Sequence, residues 1–103
     1  MDKYVLYVGM NDKDTKTQNI TILSAREIIM NTVMGNGLDG ATISEAIGLY
    51  KHEDGTVVTE QTLRVEILFA TEKQIKRICE TLKQVLNQES IVVEKQTINS
   101  TLI

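Results

Sequence analysis

The chain has 103 residues, 42% of them hydrophobic and 24% charged, and a net charge of −3 at pH 7. That is the composition of one globular domain, spanning 1–103, with enough chain to bury a core without covalent staples. The acidic balance argues against a nucleic-acid partner, which calls for a basic field. One cysteine cannot close an internal disulfide, so a reducing, cytoplasmic setting is expected. No leader-like segment and no apolar run of about 18 residues is present, so no membrane association is expected either.

The opening stretch Lys3 to Met10, KYVLYVGM, is aromatic and β-branched with both faces apolar, as suits a strand in the interior of a sheet. Gly9 and the run Asn11-Asp12-Lys13-Asp14 end it and start a polar loop to about Asn19. TILSAREIIMNTVMG follows, with Thr21 as N-cap and Gly35 as stop. Ile22, Ala25, Ile29 and Val33 recur near helical spacing, which predicts a helix over 22–34. Three glycines between 35 and 40 mark a turn.

The stretch from Gly40 to Phe69 organises the rest. It reads as two long strands around Asp54-Gly55, the dipeptide that best tolerates the positive φ angles of a type I′ turn. A two-residue turn there would pair Glu53 with Thr56, Lys51 with Val58, Leu49 with Glu60 and Glu45 with Arg64. One face would then hold Thr42, Ser44, Ala46 and Gly48 beside Leu63, Val65, Ile67 and Phe69, small against large, suited to covering helices. The other would hold Ile43, Ile47 and Leu49 beside Arg64, Glu66 and Leu68.

The second helix is the clearest element. Thr71 and Gln74 fit a capping box, and Ile75, Ile78, Cys79, Leu82, Val85 and Leu86 form one stripe at i, i+3, i+4, i+7, i+10 and i+11. Glu72–Lys76 and Lys76–Glu80 add outer i,i+4 pairs. Asn87-Gln88 ends the helix, and IVVEKQTI (91–98) is a last strand. The order β-α-β-β-α-β with right-handed crossovers gives an α+β, ferredoxin-like split βαβ fold: a four-stranded antiparallel sheet, two helices on one face, the opening strand in the middle.

The run Gly40-Ala41-Thr42-Ile43-Ser44-Glu45-Ala46-Ile47-Gly48 resembles the Gly-x-Thr-Val-Ser-Glu-x-x-Gly segment that begins the second strand of PII signalling proteins. Element order and lengths resemble PII and the CutA family across most of the chain. G-A-T-I-S-E-A-x-G-x-Y, D-G-x-V-V-x-E and the Gln88-Glu89-Ser90 step are also similar to a family of small uncharacterised bacterial domains, a likeness that implies a fold and no activity. The PII resemblance implies ligand-binding roles for Thr42 and Gly48, which match positions lining the adenine side of an inter-subunit nucleotide site, and for Lys51, near a basic position. The rest of that site is missing. The long mobile loop between strands two and three is a short turn here, and Asn87-Gln88-Glu89-Ser90 stands where PII has a Gly-Asp-Gly-Lys phosphate loop. Without glycine N–H groups and a cation, and with a glutamate, that step cannot grip phosphates.

The other reactive side chains are too few and too scattered for chemistry. His52, the single histidine, stands at the hairpin tip with Glu53 and Asp54, a solvated turn rather than a metal site. Asn11, Asp12 and Asp14 begin like a calcium loop, but Thr17 replaces the glycine and Leu23 the bidentate glutamate. Cys79 lies on the apolar stripe as a packing residue, Met30 and Met34 read as core or interface filler, and the two Asn-x-Thr sequons at Asn19 and Asn99 matter only in a secreted protein. No nucleophile is paired with a base, so no catalytic residue, metal or cofactor is expected. The reading is a small homo-oligomeric ligand-binding or regulatory module with a small-molecule effector. The alternatives are an enzyme of the dimeric α+β barrel type or a structural protein–protein interaction domain. Since both helices cover one sheet face, Ile43, Ile47, Leu49 and Leu68 on the other should form the oligomer interface. The resembled families imply three copies rather than two.

Overall fold

The doubly apolar opening strand takes the middle of the molecule. In a computed structural model describing residues 1–51 and 54–103, β1 (Asp2–Gly9) is followed by α1 (Ile22–Gly35), β2 (Thr42–Lys51), β3 (Val57–Leu68), α2 (Glu72–Val85) and β4 (Val92–Thr97). The strands form one antiparallel sheet in the order β2-β3-β1-β4, with both helices on one face. Tyr4, Leu6 and Val8 from β1 and Leu63, Val65 and Ile67 from β3 meet Ala25, Ile29 and Val33 of α1 and Ile75, Ile78 and Leu82 of α2 in one buried cluster. Each large side chain buried there contributes about 1.5–3 kcal/mol.

Both helices start and stop on local chemistry. The Thr21 hydroxyl accepts from the Ser24 N–H at 3.1 Å. Thr71 accepts from the Gln74 N–H at 3.2 Å, while Gln74 Oε1 accepts from the Thr71 N–H at 2.9 Å, the reciprocal capping box. After α2, Asn87 takes the left-handed φ of 48°. The Gln88 N–H then reaches the Lys83 carbonyl at 2.9 Å and the Asn87 N–H the Gln84 carbonyl at 3.4 Å, a Schellman closure with asparagine in the usual glycine place. Of the two outer pairs on α2, Glu72–Lys76 forms at 3.9 Å. Val85 does not share the stripe's burial: it is 55% exposed. At 100° per residue it lies about 80° from Ile75 around the helix, on the rim of the apolar face.

The hairpin register differs from the expected one by a single residue. Lys51 faces Val57, which leaves five intervening residues, an odd number that a two-residue turn cannot produce. Of the described turn residues only Gly55 has positive φ, at 91°, whereas a type I′ turn needs two. The Glu53–Thr56 pair lies outside the described residues. Ser44 rather than Glu45 faces Arg64, and Gly48 rather than Leu49 faces Glu60. Because side chains alternate, a shift by one exchanges the faces of the whole strand. Ile43, Ile47 and Leu49 therefore share the helix-side face with Leu63 and Val65, and Thr42, Ser44, Ala46 and Gly48 share the open face with Thr62, Arg64 and Glu66. This pairing adds Ile43 to the core and lets the charged side chains of β3 stay hydrated. Phe69, at φ 59°, ends the strand with its ring exposed instead of continuing the row of Leu63, Val65 and Ile67.

The open face is consequently polar at its centre. Arg64 pairs with Glu66 at 2.7 Å and Lys3 joins the same carboxylate oxygen at 3.2 Å, while the Arg64 guanidinium lies 6.0 Å from the Tyr7 ring centroid. Hydrogen bonding to Tyr7, then to Glu66, raises the Arg64 pKa, and Arg64, then Lys3, lowers that of Glu66. The two strands of the hairpin also outrun the sheet. β1 stops at Gly9, opposite Thr62, and Met10 adds one bond to the Gln61 carbonyl. Beyond that point Ile47–Lys51 and Val57–Gln61 continue as a two-stranded ribbon. On its helix-side face stand Ile47, 79% exposed, Leu49, 70% exposed, and Val57.

Candidate functional site

Glycine weakens a strand interior, so a glycine held there usually marks a close approach by another group. Gly9 makes room for Glu60, and Gly48 for Thr62, where the ribbon leaves the sheet. A Cβ on Gly9 would fall 2.5 Å from Glu60 Oε1 and 2.8 Å from Oε2. A Cβ on Gly48, directly opposite Glu60, would fall 2.8 Å from Thr62 Oγ1 and 3.5 Å from Glu60 Cγ. The carboxylate thus lies against the bare backbone at the end of β1, half-buried, and Oε2 accepts the Asn11 N–H at 3.0 Å. No ion pair forms to Glu60 among the described residues. Beside it opens a cavity of about 360 Å³ bordered by Asn11, Asp12, Lys13, Lys16, Tyr50, Glu60, Gln88, Glu89 and Ser90.

The loop from 11 to 18 forms one wall, and its own polar groups hold it. Asn11 and Gln18 form an isolated bridge. Asp12 Oδ1 accepts the N–H groups of Asp14 at 2.8 Å and Thr15 at 2.9 Å, and the Lys16 N–H returns to the Asp12 carbonyl at 2.9 Å with Lys16 at φ 61°. The Asn87 amide donates to Asp12 at 2.8 Å and to Asp14 at 2.9 Å, and Gln88 Nε2 donates to the Asn11 carbonyl at 2.7 Å. The step after α2, which has no phosphate loop, is the clamp on this wall.

These bonds, the one from Asn87 first and then the Thr15 and Asp14 amides, lower the Asp12 pKa from 3.8 to about 2. A depressed carboxylate stabilises the fold fully above its unfolded pKa and loses that contribution as pH falls through the folded value. The Asn87 side-chain amide resonances should therefore hold steady through pH 3.8 and move only towards pH 2. A midpoint near 3.8 would show that the loop does not hold Asp12.

Sequence reasoning passed over Glu60, because one glutamate on a strand carries no spacing signal. The signal that could have found it is the glycine that ends β1, Gly9. The three residues carried over from PII do not converge within one chain. Thr42, opposite Glu66, borders a different cavity, of about 510 Å³, with Gly37, Phe69, Gln74 and Leu102. Gly48 is six positions along β2, about 20 Å away at the strand rise, and Lys51 is exposed on the opposite face. Of the expected interface set, Ile43 packs against the core, Ile47 and Leu49 stand on the ribbon's helix-side face, and Leu68 is on the open face. Met30 and Met34 are exposed beside Ile43 rather than in the core. Cys79 is half-buried, and burial raises its pKa, so it stays a thiol. His52 lies outside the described residues. Among those described, no three His, Cys, Asp or Glu side chains are grouped to hold a metal ion, and no helix is long and apolar enough to cross a membrane.

A family model described as "Protein of unknown function (DUF3574)" matches residues 3–101. No curated protein matches the sequence. Among solved structures, a phage SAM lyase in complex with S-methyl-5′-thioadenosine superposes with a TM-score of 0.71 at 22% identity, over 92% of this chain and 79% of that one. The periplasmic divalent cation tolerance protein CutA from Archaeoglobus fulgidus gives 0.62 at 12% identity, over 99% and 88%. The B. subtilis GlnK–ATP complex gives 0.58 at 16%, over 93% and 84%. At these identities the likeness is one of fold.

Proposed function

The chain belongs to the DUF3574 family, and we propose that it is a homo-oligomeric binding module for a small organic cation, held at Glu60. The observation that carries this reading is the carboxylate itself: a half-buried anion, seated over Gly9, aimed by one backbone N–H and bordering a cavity of about 360 Å³ without an ion-pair partner among the described residues. A glycine on a strand leaves the backbone bare where another group must come close. A half-buried carboxylate with no ion-pair partner among the described residues selects a positive charge. The ligand class that comes first is an adenosyl sulfonium, which is permanently cationic, because a SAM lyase shares the fold.

Self-association belongs to the same reading. Ile47, Leu49 and Val57 are uncovered on one ribbon face, and β2 and β4 leave both sheet edges unpaired. A few hundred Å² of wet apolar surface costs several kcal/mol at about 25 cal/mol per Å². A second copy removes that exposure, and the resemblance to PII and CutA favours three copies. The single cysteine supports a cytoplasmic setting.

Thermal unfolding tests the ligand with S-adenosylmethionine, S-methyl-5′-thioadenosine and ATP as probes. A ligand at 100 times its Kd adds about 2.7 kcal/mol, a rise of roughly 10 °C or more in Tm for a domain of this size. S-adenosylmethionine should give it, ATP should not, and Glu60→Gln should remove it. A chain that no adenosyl compound stabilises, or one that ATP stabilises best, does not have this function. Turnover of S-adenosylmethionine in the same mixture would make the module an enzyme.

A further inference from the structure

Building on the cation-binding reading of Glu60, we propose that the ligand is zwitterionic: its positive charge is taken by Glu60 and a carboxylate at its other end by Lys13 and Lys16. The cavity is bordered by charges of both signs that do not neutralise one another. Lys13 and Lys16 line it together with Glu60, Asp12 and Glu89, and neither lysine forms an ion pair among the described residues. This is not for lack of nearby anions. Asp12 and Asp14 are close in sequence, yet both carboxylates turn to the Asn87 amide, at 2.8 and 2.9 Å, and Asp12 also takes two backbone N–H groups. The loop satisfies its acids internally and leaves its two cations on the lining of the cavity.

The backbone holds both lysines in place. The Lys13 N–H donates to the Asn87 carbonyl at 3.0 Å, and Lys16 sits in the left-handed region at φ 61°, its N–H bonded to the Asp12 carbonyl. A non-glycine residue at positive φ persists only where its surroundings dictate it. The result is a cavity bordered by the Glu60 carboxylate and by two lysines, with Glu89 also on its lining, a mixture of charges that complements an α-amino acid or a longer molecule ending in one. A mononucleotide phosphate would suit the lysines and be repelled by the glutamates. A plain polyamine would suit the glutamates and be repelled by the lysines.

The test separates the carboxylate from everything else in the ligand. Calorimetry at low ionic strength compares S-adenosylmethionine with its decarboxylated form, which keeps the sulfonium and the amine and lacks only the carboxylate. The intact molecule should bind at least 10-fold tighter, and the advantage should shrink as salt is added. Lys13→Gln with Lys16→Asn, asparagine being chosen because it tolerates positive φ, should erase the difference while leaving the affinity for the decarboxylated form unchanged or improved. If the decarboxylated form binds as well as the intact one, the zwitterion assignment fails while the Glu60 reading stands. If neither binds, both fall. A double variant that weakens the two ligands equally would show the lysines acting on the loop rather than on the carboxylate, and would also overturn the assignment.

Discussion

Leu82→Ala should lower the stability of the domain by about 2–5 kcal/mol, and Lys83→Ala, one position on, by less than about 0.5 kcal/mol. Leu82 has no exposed surface and stands in the middle of the α2 stripe, between Ile78 and Leu86 and against the sheet. Truncation leaves a cavity that a closely packed layer of valines, isoleucines and leucines cannot collapse into without moving β1 or β3. Lys83 points outward, and nothing in the core depends on it. Urea unfolding of the two variants decides the matter through the midpoint at constant slope. Equal midpoints would mean that α2 does not lie on the sheet as described.

Ile47→Asp should dissociate the oligomer while leaving the protomer folded. Ile47 is 79% exposed within one chain, so an isolated protomer loses almost nothing when the side chain becomes charged. In an assembly that covers the ribbon, the same change buries an unpaired carboxylate, which costs several kcal/mol per copy. Light scattering on a gel-filtration column at micromolar protein should give a mass above the 11.6 kDa of one chain for the native protein and that mass for the variant, with unchanged circular dichroism. A native protein that elutes as a monomer removes the oligomer from the proposal. An oligomer that survives the substitution places the contact elsewhere, with the unpaired edges of β2 and β4 next in line.

The elements were legible because each carried two agreeing signals. Thr71 and Gln74 announced the start of α2 and the stripe from Ile75 to Leu86 its buried face, and Val85 failed only because it lies at the rim of that stripe. The doubly apolar β1 announced its interior place. The hairpin had one signal, Asp54-Gly55, and that signal concerns the turn while the faces depend on the count of residues in it. An odd loop with one left-handed glycine satisfies the dipeptide as well as an even one does, and it turns Ile43, Ile47 and Leu49 to the other side. The preference that settles the register is tertiary: Ile43 gains the core and Arg64 and Glu66 keep water. Glu60 was illegible for a related reason. Its place depends on where Gly9 of a strand far earlier in the chain comes to rest, and no pattern along one strand encodes that.

Asp2 pairs with Thr97, and their side chains bond across 95 positions of sequence. The first strand of this fold is therefore completed by its fourth. During synthesis, at about 5–20 residues per second, one side of β1 stays unsealed for on the order of 5–20 s. Pairing with β3 can seal only the other side, once the hairpin has emerged. Through that interval a ladder of free N–H and C=O groups flanked by Tyr4, Val5 and Leu6 is a template for any extended chain nearby. Termination before β4 leaves that template permanently in place, so chains that stop between α2 and β4 are the ones that precipitate, whatever the strength of the core they have already formed.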